Sequence, residues 1–211
     1  MTNTLHRQGQ PTELKNDYVI FAHTAKGKNR EGSAPKIQEF MRICLKYHPV
    51  NIGDVKQGNI NQDDIDIQKL IASQEDGAGA AAVFTDLETL QKVVEELIRA
   101  DLGISINITG LMDEVQQCCR KAGLERHSGE HSLGFWGAKD RLPEREILEF
   151  NTLCGHGMVS FNLIRRLTEY VKLRRLTPKE AARIMAKCCE CGVFNPIRAE
   201  NLLAKFLPQR D

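Results

Sequence analysis

Two glycine-flanked cysteine sites near the C-terminal end constrain this 211-residue chain more than any other feature. The first is Cys154-Gly155-His156-Gly157. The second, Cys188-Cys189-Glu190-Cys191-Gly192, begins 34 residues further on, and together they carry four of the seven cysteines. Cys188 and Cys191 have the C-x-x-C-G spacing of a turn that lets two thiolates grip one metal centre, with backbone N–H groups turned toward the sulfurs. Cys154 and His156 offer a second pair. If the pairs converge, one centre pins the ends of three helices. The set Cys154, His156, Cys188 and Cys191 suits tetrahedral zinc. Cys154, Cys188 and Cys191, with Cys189 or a non-cysteine fourth ligand, suit a [4Fe–4S] cluster, and an iron left open there acts as a Lewis acid. The plain alternative is a group of ordinary buried thiols.

An odd number of cysteines fits metal binding better than a disulfide framework. The polar stretch Met1 to Pro11 has no apolar core of a secretory signal, and no run of 18 apolar residues marks a membrane span. A cytoplasmic protein is the expectation, with disulfides disfavoured there. Charge is divided unevenly along the chain. Residues 151–211 hold 11 basic and 5 acidic side chains, whereas residues 1–150 hold 18 and 23. The basic excess suits an anionic partner, a cluster or simply a solvated helix face.

The rest of the pattern predicts an α/β protein. Residues 1–16 read as a loosely held arm. Tyr18 to Ala22 is an apolar strand, and Ser33 stands where it can cap a helix from Pro35 to Tyr47. Pro49 to Val55, Ala80 to Phe84, Gly103 to Ile108 and Ser132 to Trp136 read as further strands. Helices are expected near Asn61 to Ile71, Leu87 to Ala100 and Leu111 to Ala122. This alternation predicts a mixed or parallel sheet over residues 17–143, in a ferredoxin-like or small doubly wound arrangement. From 144 to 211 the chain reads as a helical, cysteine-rich domain that binds a metal or cluster. Thr177-Pro178-Lys179-Glu180 has the signature of a capped helix start there, and Asn195-Pro196 repeats the logic.

Two loops add candidate chemistry. Lys26, Lys28 and Arg30 lie in a glycine-containing strand-to-helix loop that can hold a phosphate or carboxylate, although it matches neither the P-loop nor the dinucleotide fingerprint. Arg126, His127 and His131 lie in a second loop suited to acid–base work or to an anionic substrate. Both loops, with the Cys154–His156 turn, are expected to border one cleft. Cys118 and Cys119 are adjacent on a helix, so one of them faces the core.

The leading expectation is an iron–sulfur protein doing redox or cluster-assisted chemistry on a small anionic molecule, with His156, His131 and His127 as acid–base groups and a redox partner implied. A rival is a zinc-stabilised module whose basic helices, with Arg165, Arg166, Lys172, Arg174 and Arg175, contact nucleic acid or an acidic protein. A third is an enzyme with Cys154 as nucleophile beside His156.

Overall fold

A computed structural model describes residues 7–126, 128–130 and 132–208. Its first part runs α1 (Pro11–Leu14), β1 (Tyr18–His23), α2 (Ala34–Lys46), β2 (Asn51–Asp54), β3 (Gly58–Asn59), α3 (Ile67–Ala72) and β4 (Ala80–Phe84). It continues through α4 (Leu87–Ala100), β5 (Ser105–Thr109) and α5 (Met112–Lys121) to α6 (Arg145–Asn151), α7 (Phe161–Lys172), α8 (Pro178–Lys187) and α9 (Pro196–Ala204). Among the described residues no helix is long and apolar enough to cross a membrane.

The strands form one sheet in the order β3-β2-β4-β1-β5, and every neighbouring pair is antiparallel. A parallel sheet, and with it the small doubly wound arrangement expected as one alternative, is therefore not what forms. The reason lies in how the crossovers interleave. β1 and β2, joined through α2, run in the same direction, but β4 lies between them. β4 and β5, joined through α4, also run alike, with β1 between. Each strand–helix–strand unit leaves a gap of one strand, and the other unit fills it.

Strand alternation then sorts side chains onto two faces. Tyr18, Ile20 and Ala22 of β1, with Ala80, Ala82 and Phe84 of β4, pack against α2, α3 and α4. Val19 of β1 and Ala81 and Val83 of β4 face the other way, onto Phe150, Ile164, Val171, Met185 and Phe194 of the C-terminal helices. The run Ala80-Ala81-Ala82 lets helices approach from both sides. Residues 144 onward are thus a second layer on the same sheet, sharing its core.

Local signals set most helix starts. Thr177 accepts from the Glu180 backbone while the Glu180 carboxylate accepts from the Thr177 backbone, completing the capping box. Asn195 and Ser160 cap α9 and α7. At α2 the expectation fails: the Ser33 hydroxyl donates to Arg30 O and accepts from Gly77 N. Asp76, from a loop 42 residues away, accepts the N–H groups of Gly32 and Ala34 instead. Ser132 to Trp136 is not a strand. Gly134 has φ 77°, and Leu133 and Trp136 are each 81% exposed, leaving no buried face for a strand to present.

The arm, expected to be loose, docks from Arg7 onward. Asp17 is a buried carboxylate 2.8 Å from both Arg7 Nε and Arg198 NH1, and the three side chains are 0%, 4% and 3% exposed. Asn195 donates a further hydrogen bond to Asp17, Arg198 donates to Gln8 O, and Gln8 N donates to Thr152 Oγ1. Removing the charge from a buried group of this kind is costly, because its partners stay buried. Asp17→Asn is expected to lower unfolding stability by about 3–5 kcal/mol in guanidinium titrations. A loss below about 1 kcal/mol would show that the triad does not hold the arm.

Candidate metal centre

Two short loops build the site. The first leaves α6 through a tight turn in which Leu153 N donates to Phe150 O and Cys154 N to Asn151 O. Cys154 is thereby driven into the core at 0% exposure. Gly155 and Gly157 both adopt positive φ, 70° and 71°, which folds the chain back over Cys154 and sets His156 between them. The second loop leaves α8, where Cys188 and Cys189 donate their N–H groups to Met185 O and Ala186 O. Gly192, at φ 75°, turns the chain down onto β2.

The loops bring three groups, Cys189, Cys191 and His156, into a row of close contacts, with Cys154 beside it. Cys154 lies beside Cys189, close enough for each thiol to shift the acidity of the other. Cys189 Sγ lies 3.9 Å from Cys191 Sγ, and Cys191 Sγ lies 3.6 Å from His156 Nδ1. Backbone N–H groups of the two loops favour the thiolate forms: those of His156 and Met158 act on Cys154, of Phe194 on Cys189 and of Val193 on Cys191. Among the described residues no group of three or more His, Cys, Asp or Glu side chains is placed so that it could hold a metal ion without rearranging. The arrangement is an open chain of donors.

Cys189, not Cys188, is the residue brought into contact. Cys188 is the C-cap of α8 and keeps helical backbone angles, φ −73° and ψ −14°. Its side chain continues the helix, and its Sγ donates back to Ile184 O at 3.6 Å.

The thiols differ in acidity. A hydrogen bond from Cys189 holds the Cys191 thiol below its ordinary value, outweighing burial. The hydrogen bond with Cys189, and then burial, pushes Cys154 far up. Cys154 lowers Cys189 by hydrogen bonding, but its bond to Cys191 and burial together leave it up at about 12. Cys191 is the first of the three to ionise.

Side chains from the sheet and the arm hold these loops by their carbonyls. Asn59 donates to Cys189 O, Asn51 to Phe194 O and Gln62 to Lys187 O. Arg7 donates to Thr152 O, Leu153 O and Val193 O, reaching both loops at once. Neither Arg7 nor the asparagines carried a sequence signal beyond an Asn-rich strand pair, because every loop carbonyl they hold is more than 100 residues away.

The other candidates are dispersed. Lys26, Lys28 and Arg30 are exposed, on a loop tied by Asp76 to the start of α2. Arg126 lines a cleft of about 630 Å³ on the open part of the sheet over β5, with Arg7, Asp17, His23, Asn107 and Thr109. Glu125 and Glu130 line it too, so the cleft is not a positive pocket. The Lys26–Arg30 loop and the Cys154–His156 turn do not line this cleft, so the three loops do not share it. His127 and His131 lie outside the described residues. Cys118 faces the core and burial pushes it up to about 11, while Cys119 lines the cleft. Of the basic helical residues, Arg165 pairs with Glu144, Arg166 lies over Tyr170 and Lys172 over Phe206. Arg174 and Arg175 are exposed.

No protein-family model, curated protein or solved structure matches this chain.

The site depends on how closely Gly192 approaches the sheet. A Cβ there would stand 2.5 Å from Gly53 N, whereas one on Gly157 would meet nothing within 4 Å. Gly192→Ala is therefore expected to cost more than about 2 kcal/mol in denaturant unfolding, and Gly157→Ala only about 1 kcal/mol. Equal losses would show that the left-handed backbone, and not the contact with β2, fixes the loop.

Proposed function

We propose that this chain is a metal–thiolate protein whose centre is a single tetrahedral ion, zinc by its donor set, held by Cys154, Cys189, Cys191 and His156. The observation that carries the reading is the spacing of the donors. Zinc–sulfur bonds of about 2.3 Å and zinc–nitrogen bonds of about 2.0–2.1 Å place tetrahedral ligands about 3.8 Å apart for S···S and about 3.6 Å for S···N. Cys189 and Cys191 stand at 3.9 Å, and Cys191 and His156 at 3.6 Å. Those two spacings support a single tetrahedral ion over scattered thiols. Cysteine sulfurs around a [4Fe–4S] cluster stand roughly 6–7 Å apart, so the same distances favour one ion over a cluster. The backbone N–H groups that act on the sulfurs would stabilise thiolates in either case.

Four protein ligands close a site, and zinc supplies no redox chemistry. In this reading the ion contributes folding free energy by joining the α6–α7 loop to the α8–α9 loop. The protein is then a zinc-stabilised module, and its activity lies on surfaces that the clamped helices present.

One observation favours a second reading, a thiol enzyme. Cys191 has a depressed thiol beside an imidazole, as an activated nucleophile needs. Cys154, the nucleophile expected from the sequence, fits that role poorly because it is fully buried and its thiol is pushed up.

Metal analysis of protein purified without oxygen separates these readings. About one zinc per chain is expected, with no absorption band near 400 nm. Cys189→Ser should abolish metal retention and Cys188→Ser should leave it intact. Stoichiometric iron with a band near 400 nm would replace zinc by an iron–sulfur cluster. Metal-free protein in which iodoacetamide modifies Cys191 ahead of the other thiols would favour the enzyme.

A further inference from the structure

The buried triad does not balance its own charge. Two guanidiniums share the one Asp17 carboxylate, and all three side chains are at least 96% buried. Arginine stays protonated in proteins, so the triad carries a net positive charge in the interior. Isolated buried charge is strongly disfavoured unless an opposite charge lies close by. Burial is the main influence lowering the Arg7 pKa, opposed first by Asp17 and then by Cys189 and Cys154. Those two cysteines are therefore within electrostatic reach of the guanidinium.

Hydrogen bonding picks out the same residue. Arg7 NH1 donates to Thr152 O and Leu153 O, two residues and one residue before Cys154, and NH2 donates to Val193 O, two residues after Cys191. Arg198 has no such role: its bonds run to Asp17 and Gln8.

We infer that Arg7 is the counter-charge and positioning residue of the metal centre, so that docking of the N-terminal arm and metal binding are coupled. The inference rests on the zinc reading of Cys154, Cys189, Cys191 and His156. Three thiolates and a neutral imidazole on a divalent ion carry one net negative charge. The triad carries one net positive charge, since the nearby Glu13 carboxylate is itself paired with Lys205, and triad and centre together are neutral. The same guanidinium ties the two ligand loops to each other, so the arm fixes the distance between Cys154 and Cys191. Because linkage is reciprocal, an arm that strengthens metal binding must itself dock more tightly when metal is bound.

Cobalt(II) titration of the full chain, made metal-free under reducing conditions, tests this, because thiolate-to-cobalt charge-transfer absorption reports the ligands directly. Arg7→Gln keeps donor groups but removes the charge. It is expected to weaken cobalt binding about 10–100-fold, in line with other residues that orient metal ligands. Arg7→Lys, which keeps the charge, should recover part of that loss. Arg198→Lys disturbs the same triad without touching the cysteine loops and should stay within about threefold of the unaltered chain. Protease cleavage within residues 7–17 should slow when cobalt is added to the unaltered chain and should not slow in Arg7→Gln. Binding by Arg7→Gln within threefold of the unaltered chain would overturn the inference. So would an equal loss in Arg198→Lys, which would assign the effect to the triad as a whole. If Arg7→Gln does not fold, Arg7→Lys decides alone: affinity unchanged or partly reduced supports the counter-charge, and affinity lost as fully as in Cys189→Ser overturns it. Failure of the unaltered chain to develop thiolate–cobalt absorption would remove the metal reading itself, and the inference with it.

Discussion

Two irregular loops dip into the interior of this protein at Leu153 and Cys154 and at Cys189 and Gly192 to Phe194, and the carbonyl groups there must find donors. A buried polar group without a partner costs about 1–3 kcal/mol. Helix and strand ladders satisfy their own backbone, but loops between helices do not. Here the donors are side chains from distant parts of the chain: Asn51 and Asn59 from the sheet edge, Gln62 beyond it and Arg7 from the arm. The placement of Cys154, Cys189, Cys191 and His156 follows from those bonds. Exposed ion pairs such as Lys56–Glu75, with side chains 57% and 66% exposed, contribute about 0–1 kcal/mol each and decide little by comparison.

The sheet makes this possible through its small residues. Gly53 of β2 accepts the backbone of Gly192 against it, and Ala81 of β4 lies beside Gly53 in the register. A larger side chain at either glycine would lift the second cysteine loop away from the sheet. The asparagines could not then reach its carbonyls, and the Cys189–Cys191 pair would part from Cys154. Fold and site are coupled at this contact, so a disturbance on β2 should be felt at the thiols.

Features with local causes were legible in the sequence, and features with distant causes were not. The apolar run of β1, the small-residue run of β4 and the Thr177–Glu180 capping box depend on residues a few positions apart, and each lies where the pattern placed it. The antiparallel pairing was hidden, because alternation of strands and helices sets the direction of successive strands but not which strands become neighbours. The choice of Cys189 over Cys188 turned on whether α8 ends one residue earlier or later. The C-x-x-C spacing suggested a turn, but Cys188, as the C-cap of α8, keeps helical backbone angles. Arg7 was invisible for a different reason. A single arginine in a polar arm has no local signal, and its partners, Asp17 aside, lie about 145 residues or more away.

The central claim is that one metal ion sits on three sulfurs and one imidazole, with Cys189 among them. X-ray absorption at the zinc edge of the purified protein tests it most directly. The account predicts a first shell of three sulfurs at about 2.3 Å and one nitrogen at about 2.0–2.1 Å, lost in Cys189→Ser and unchanged in Cys188→Ser. A shell of four sulfurs, or one that keeps three sulfurs when Cys189 is replaced, would contradict it.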